Sequence, residues 1–116
     1  MRLAVGLSVL ALAVLPRAAW AEERWLGCRF MESGKPRTFV MVFDDLRGIA
    51  SLLEGGSLVA GAGTTINYQS LRTRFPDFGV TYSRNDGSLS VSPQTGGLVS
   101  GECRRITAPA GAPPLQ

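Results

Sequence analysis

Residues 78–92, with the sequence FGVTYSRNDGSLSVS, decide the fold class of this chain. Apolar and polar residues alternate on both sides of a central Asn-Asp-Gly, a turn sequence whose residues tolerate positive φ angles. When Tyr82 pairs with Leu89, the apolar side chains of both arms lie on one face. The same register places Val80 opposite Val91. The stretch therefore predicts an antiparallel β-hairpin with this pairing.

Period-two alternation recurs along most of the chain, with turn residues about every 8–12 positions, as is typical of all-β domains. Further strands are predicted at residues 24–30, 37–44, 49–53, 58–60, 64–68 and 98–106. Residues 69–79 have no clear period and are interpreted as a loop. We expect one all-β domain over residues 22–106, a small antiparallel sandwich or barrel of about seven or eight strands.

The strand predicted at residues 37–44 is apolar on both faces. Phe39, Met41 and Phe43 share one face, and Val40 and Val42 occupy the other. A strand of this kind is usually central or covered on both sides. We therefore expect this strand to be central in the sheet or covered on both faces.

The two cysteines, Cys28 and Cys103, are predicted to form a disulfide that ties the first strand to the last. A redox or metal role is the alternative, but the chain has no C-x-x-C motif and no histidine. A zinc site needs three or four ligands of this kind. We expect a structural bond between strands that are neighbours or face each other across a sandwich.

The first residues of the chain have the three features of a secretory signal peptide. Arg2 supplies a positive start, residues 3–15 are uncharged, and Ala19 and Ala21 stand at the positions that a signal peptidase prefers. We therefore predict a signal peptide at residues 1–21 and a periplasmic or secreted protein. A membrane-spanning helix is the alternative, but a span needs about 20 apolar residues. No membrane span is expected in the mature form.

A second alternative for the export signal is a lipoprotein, with Cys28 as the lipidated residue. Glu22, Glu23 and Arg24 separate Cys28 from the apolar run, and this spacing disfavours lipidation. Two of the twelve basic residues, Arg2 and Arg17, lie in the predicted signal peptide, so the mature chain is close to balance with its nine acidic residues. A nucleic-acid partner is therefore not expected.

The sequence contains few groups that could perform catalysis. Without histidine, Ser-His-Asp and Cys-His mechanisms are excluded, and no phosphate-binding glycine loop is present. A carboxylate-only hydrolase is the remaining enzyme hypothesis, with a pair drawn from these acidic residues: Asp44, Asp45, Asp77, Asp86 and Glu102. Most of them fall in predicted turns, so the sequence predicts no enzyme, no cofactor and no metal site.

A binding role is best supported by residues 72–78, where arginines and aromatic residues alternate with other types. Arg72, Arg74, Phe75 and Phe78 form the candidate binding group, because arginine and aromatic residues are favoured at interfaces. The alternative is that the phenylalanines pack in the core and the arginines are solvated. The predicted partner is a protein or an envelope polymer, and a structural, oligomeric envelope component is the second hypothesis.

The last ten residues, 107–116, are rich in proline, alanine and glycine. Such a composition offers little apolar surface to bury and few regular backbone conformations. We therefore predict a disordered C-terminal tail.

Three short motifs resemble those of an uncharacterised family of small exported bacterial β-proteins. They are Cys28 on an early strand, the hairpin RNDGSL at residues 84–89, and Gly-Glu-Cys at residues 101–103. The resemblance implies a β fold and an envelope location, and it assigns no functional residues. The architecture is also similar to that of periplasmic C-type lysozyme inhibitors, but the only lysine, Lys35, lies in a predicted turn and matches no inhibitory loop.

Overall fold

The computed structural model describes residues 22–115, so the predicted signal peptide at residues 1–21 lies outside the described residues. The domain is all-β, and no helix within the described range is long and apolar enough to cross a membrane. Its strands are β1 (Glu23–Glu32), β2 (Lys35–Asp44), β3 (Ile49–Glu54), β4 (Ser57–Ala60), β5 (Ala62–Ile66), β6 (Ser70–Arg74), β7 (Phe78–Ser83), β8 (Ser88–Pro93) and β9 (Val99–Ile106).

The strands form one antiparallel sheet in the order β4-β3-β2-β1-β9-β8-β7-β6-β5. Strands that follow one another in sequence pair, except β4 and β5, which are the two edges of the sheet, and β9 pairs with β1 as well as with β8. The described sheet has nine strands rather than the seven or eight predicted. The additional strand is β6, which lies inside the segment that the sequence analysis interpreted as a loop.

The alternation of β6 is masked in the sequence by a polar residue at an inward position. Leu71 and Thr73 point into the barrel and are 0% and 2% exposed, whereas Arg72 and Arg74 point outwards. The buried hydroxyl of Thr73 is satisfied by the hydroxyl of Thr64, at 2.8 Å between the two oxygens. Because this hydrogen bond offsets the cost of burying the hydroxyl, the strand can form without an apolar residue there.

The predicted hairpin and its register are confirmed. In β7 and β8, Tyr82 lies opposite Leu89 and Val80 lies opposite Val91. The predicted disulfide is confirmed as well, since Cys28 on β1 pairs directly with Cys103 on β9. The first and last strands are therefore neighbours in one sheet.

A glycine brings the two edges of the sheet together. The N–H of Gly61 donates to the carbonyl of Ala50 on β3 at 2.9 Å, while the next residue, Ala62, lies opposite Arg74 on β6. The chain thus leaves one edge of the sheet and joins the other within one residue, and the sheet becomes a nearly closed barrel. A Cβ atom on Gly61 would collide with Oγ1 of Thr73, so this close approach requires glycine.

The barrel interior is a hydrophobic core built from the inward residues of the strands and their connections. Its buried members are Leu26, Cys28, Phe30, Phe39, Met41, Phe43, Ala50, Leu52, Leu71, Phe75, Phe78, Val80, Tyr82, Leu89, Val91 and Cys103. Four phenylalanine rings in this set, those of residues 30, 39, 75 and 78, contact one another in edge-to-face or tilted pairs with centroids 5.1–6.0 Å apart.

A second apolar cluster lies on the outer face of β1 to β3. Trp25 and Val42 point away from the barrel and yet are 6% and 0% exposed, and Leu115 and Ala112 of the C-terminal segment pack in the same cluster. Leu115 packs against both side chains and is 5% exposed. Residues 107–115, expected as part of a disordered tail, are thus seated on the sheet. The apolar second face of β2 is covered, as its sequence predicts.

Candidate functional site

The candidate site is the outer surface of strands β6, β7 and β8, which we call the polar face. Its residues form cross-strand rows that follow from the register. One row consists of Arg72, Thr81, Ser90 and Ser100, and the next consists of Arg74, Gly79 and Ser92. The outward positions of this half of the barrel are therefore cationic at β6 and small or hydroxylated across β7 and β8.

A shallow depression of about 440 Å³ lies over these rows. Arg72 and Arg74 border it on one side, and the exposed side chain of Leu98 borders it as well. The depression exists because Gly79 has no side chain at its centre. The guanidinium of Arg74 fills part of that space, with Nη1 3.0 Å from the position that a Cβ atom on Gly79 would occupy.

The charges of the two arginines are not neutralised by the part of the chain that the structure describes. Both side chains are exposed, and no carboxylate within residues 22–115 lies within 4.0 Å of either guanidinium. Their Cα atoms are about 7 Å apart, because the two residues are two positions apart on one strand. The polar face thus presents two unneutralised positive charges beside a surface of hydroxyl groups.

The aromatic members of the predicted binding group do not lie on this surface. Phe75 and Phe78 are 1% and 2% exposed and belong to the barrel core. Their rings contact each other with centroids 5.9 Å apart. Of the four predicted residues, the structure therefore brings Arg72 and Arg74 together at the surface and places the phenylalanines in the interior.

An ion-pair network at one end of the barrel was not predicted from the sequence. Arg84, in the β7–β8 turn, donates from Nη1 and Nη2 to the two carboxylate oxygens of Asp45, at 2.7 and 3.0 Å. Arg24 donates to the same carboxylate at 3.2 Å, and the guanidinium of Arg84 lies 5.2 Å from the centre of the Phe43 ring. This network closes one end of the barrel over its aromatic core.

The carboxylates in this region are held in their charged form. Hydrogen bonds from the Arg84 side chain are the main reason why the pKa of Asp45 is below its ordinary value. Burial raises the pKa of Asp44. Hydrogen bonds from the side chain and N–H of Arg47 and from the N–H of Leu46 together lower it by more than burial raises it, so the net shift is downward. A catalytic acid at neutral pH needs the opposite shift.

The remaining carboxylates of the hydrolase hypothesis are dispersed. Glu102 pairs with Arg29 at 2.9 Å on the outer face, and Asp86 accepts hydrogen bonds from the N–H and hydroxyl of Ser88, which lower the pKa of Asp86. Within the described range, no three acidic, cysteine or histidine residues are grouped so that they could hold a metal ion.

Comparisons with protein-family models, curated proteins and solved structures find no match for this chain. The resemblance to a family of small exported β-proteins therefore stays an expectation about fold and location.

Proposed function

We propose that this protein is an exported binding module whose polar face engages an anionic polymer of the cell envelope. The observation that supports this function is the pair Arg72 and Arg74. Both are exposed, both are without an ion-pair partner within residues 22–115, and both border a depression whose other lining residues include Thr81, Ser90 and Ser92. Guanidinium groups donate two parallel hydrogen bonds to carboxylate, phosphate or sulfate groups, so they suit anionic groups repeated along a polymer.

A polymer suits this face better than a protein partner does. The centre of a protein interface is enriched in aromatic residues and methionine. Here the aromatic residues near the arginines are buried, and the outward rows consist of hydroxyl groups and glycine. Hydroxyl groups donate and accept hydrogen bonds in any orientation, which fits a polysaccharide carrying acidic groups.

Export is part of the proposal and rests on two observations. Residues 1–21 have the features of a signal peptide, and the Cys28–Cys103 bond is consistent with an oxidising compartment. We expect the protein recovered from a periplasmic extract to begin at residue 22, as measured by intact mass. An unprocessed chain retained in the cytoplasm would contradict export.

The binding role is tested with dextran sulfate as the anionic probe and uncharged dextran as its control. The double variant Arg72→Ala/Arg74→Ala should bind dextran sulfate about tenfold more weakly than the wild type, since two charge-assisted contacts are lost. The matched control is Arg104→Ala/Arg105→Ala, which removes the same charge from exposed positions on β9. Its binding should be close to that of the wild type.

Equal losses in the two double variants would contradict the proposal, because they would show attraction by net charge without a defined site. Binding of uncharged dextran that is insensitive to both pairs would do so as well. Light scattering on the same samples tests the alternative of an oligomeric structural component, for which a concentration-dependent increase in mass is expected.

A further inference from the structure

The second apolar cluster, on the opposite half of the barrel from the polar face, contains a pocket that holds one leucine. Leu115 is 5% exposed there and packs against Trp25 and Val42. The pocket belongs to the outer surface of β1 and β2, so the barrel core is complete without it. Leu115 therefore binds to the outside of the folded domain, as a ligand would.

Both backbone polar groups of this leucine are held by charged side chains of the domain. The N–H of Leu115 donates to the carboxylate of Glu23 at 2.8 Å, and its carbonyl accepts from Nη2 of Arg47 at 3.2 Å. Arg47 is itself fixed by Asp44, whose side chain is 0% exposed and accepts from Nε of Arg47 at 3.0 Å. An apolar pocket flanked by one acceptor and one donor can bind the side chain of an extended peptide together with the N–H and carbonyl of the same residue.

The residues that lead to the pocket make no strand pairing with the sheet. Residues 107–114 contain three prolines, and their only backbone hydrogen bond within the described range joins the N–H of Ala112 to the carbonyl of Pro109 at 3.1 Å. The connection to β9 is therefore a linker, and Leu115 with its backbone contacts is the anchor. A segment attached in this way can leave the pocket without disturbing the barrel.

An open groove of about 650 Å³ adjoins the covered part of the cluster. Val40, Leu53 and Ile106 line it and are only half-buried. Gly27 also lines it, and a Cβ atom there would stand 3.3 Å from Cγ2 of Ile106. A peptide longer than residues 107–115 would gain further apolar contact in this groove, and this contact favours displacement of the resident segment.

We propose that the outer face of β1 and β2 is a docking site for an extended, proline-rich peptide of a partner protein that carries a leucine anchor. Residues 109–115 of this chain occupy its leucine pocket as an internal ligand. A short tether keeps that ligand at an effective concentration on the order of millimolar, so a partner binds only when it competes with this occupancy. The site is independent of the polar face, and either proposal can fail without the other.

The test uses the full chain and a synthetic peptide, acetylated and amidated, with the sequence of residues 109–116, PAGAPPLQ. In the variant Leu115→Asp the internal ligand cannot enter the apolar pocket, because a carboxylate is costly to bury there. Calorimetry should show that this variant binds the peptide about tenfold more tightly than the wild type does. Tyr68→Asp, at a residue that is 90% exposed, introduces the same charge outside both proposed sites and should bind the peptide as the wild type does.

Nuclear magnetic resonance locates the peptide binding site, since binding in the leucine pocket should shift the indole signal of Trp25. A peptide with aspartate in place of its leucine should not bind. If the Leu115→Asp variant folds poorly, Leu115→Ala provides a second test, because it weakens only the internal ligand and leaves Glu23, Arg47 and the apolar pocket in place. This variant should also bind the peptide more tightly than the wild type.

Two outcomes overturn the proposal. Unchanged peptide affinity in both variants, with no shift of the Trp25 signal, would show that Leu115 is only a packing residue. A wild-type dimer that Leu115→Asp dissociates would show exchange of this segment between two copies, and not an internal ligand awaiting a partner.

Discussion

The outer surfaces of the two halves of the barrel differ, although both follow the same alternation of inward and outward residues. On β1 to β3 the outward residues are apolar, and the chain covers them with residues 107–115. On the polar face the outward residues are arginine, serine, threonine and glycine, and the arginines stay exposed. The inward residues thus form the barrel core, whereas the outward residues determine whether another segment of the chain packs on the outer face of each half.

The largest effect is expected where the two halves are joined covalently. Replacing both cysteines, Cys28→Ala and Cys103→Ala, removes a bond that closes a loop of 75 residues. The chain-entropy relation gives a loss of about 4 kcal/mol in the free energy of unfolding. This loss corresponds to a decrease in Tm on the order of 20 °C for a domain of this size.

Calorimetry of the oxidised wild type, the reduced wild type and the double variant measures this effect. The reduced wild type should have the same Tm as the double variant. If all three proteins melt together, the β1–β9 strand pairing is sufficient without the bond.

The covered half is tested next with Val42→Ser, at a residue that is 0% exposed on the outer face of β2. The change removes apolar contacts with Trp25 and Leu115 and leaves a hydroxyl group buried. We expect the free energy of unfolding to decrease by about 3 kcal/mol. Urea denaturation measures it, and a cost below about 0.5 kcal/mol would mean that residues 107–115 do not exclude water from this site.

The network between the halves gives a smaller, pH-dependent effect. Because the pKa of Asp45 is lower in the folded state than in the unfolded state, its contribution to stability is complete above the unfolded pKa of about 3.9 and is lost as the pH falls through the folded value. Asp45→Asn should lower stability by about 1 kcal/mol at pH 7, since the carboxylate is partly exposed.

The difference between wild type and Asp45→Asn should shrink as the pH falls below about 4. Urea titrations at pH 7 and pH 3 provide the comparison. A difference that stays constant with pH would contradict a role of the carboxylate charge.

The smallest effect is expected from the reciprocal of the valine change, Ser90→Val on the polar face. Ser90 is half-buried in an outward row, and valine is favoured in strands. Stability should change by less than about 0.5 kcal/mol. A cost similar to that of Val42→Ser would show that the polar face is covered in the same way as the opposite half.

Local patterns in the sequence predict the fold class and much of the pairing. The hairpin register of Tyr82 with Leu89 follows from alternation and turn chemistry alone, and the disulfide follows from the two cysteines in a chain with a predicted signal peptide. Strand β6 was missed because Thr73 occupies an inward position and is satisfied by a hydroxyl group of a different strand. Such a partner is a property of the closed barrel and has no signal in a single sequence.

The candidate site was predicted only in part, for a related reason. Arg72 and Arg74 were identified by residue type, but their separation from Phe75 and Phe78 depends on which residues of a strand point inward. The pairing of Arg84 with Asp45 joins two turns that are 39 residues apart. The pocket of Leu115 likewise lies on a surface that exists only after β1 and β2 have paired.

The position of β9 between β1 and β8 has a kinetic consequence. The hairpins β1–β2 and β7–β8 join residues close in sequence, whereas β9 pairs with a strand from the opposite end of the domain. Pairings of such long sequence separation form slowly, because the entropy of loop closure must be overcome first. Because β9 forms a local hairpin with β8, the late step is its pairing with β1, and until then β1 and β9 each present an unpaired edge that another chain can join. The strand edges that favour aggregation during folding are therefore at the centre of the finished sheet. They are no longer exposed once β9 has paired with β1.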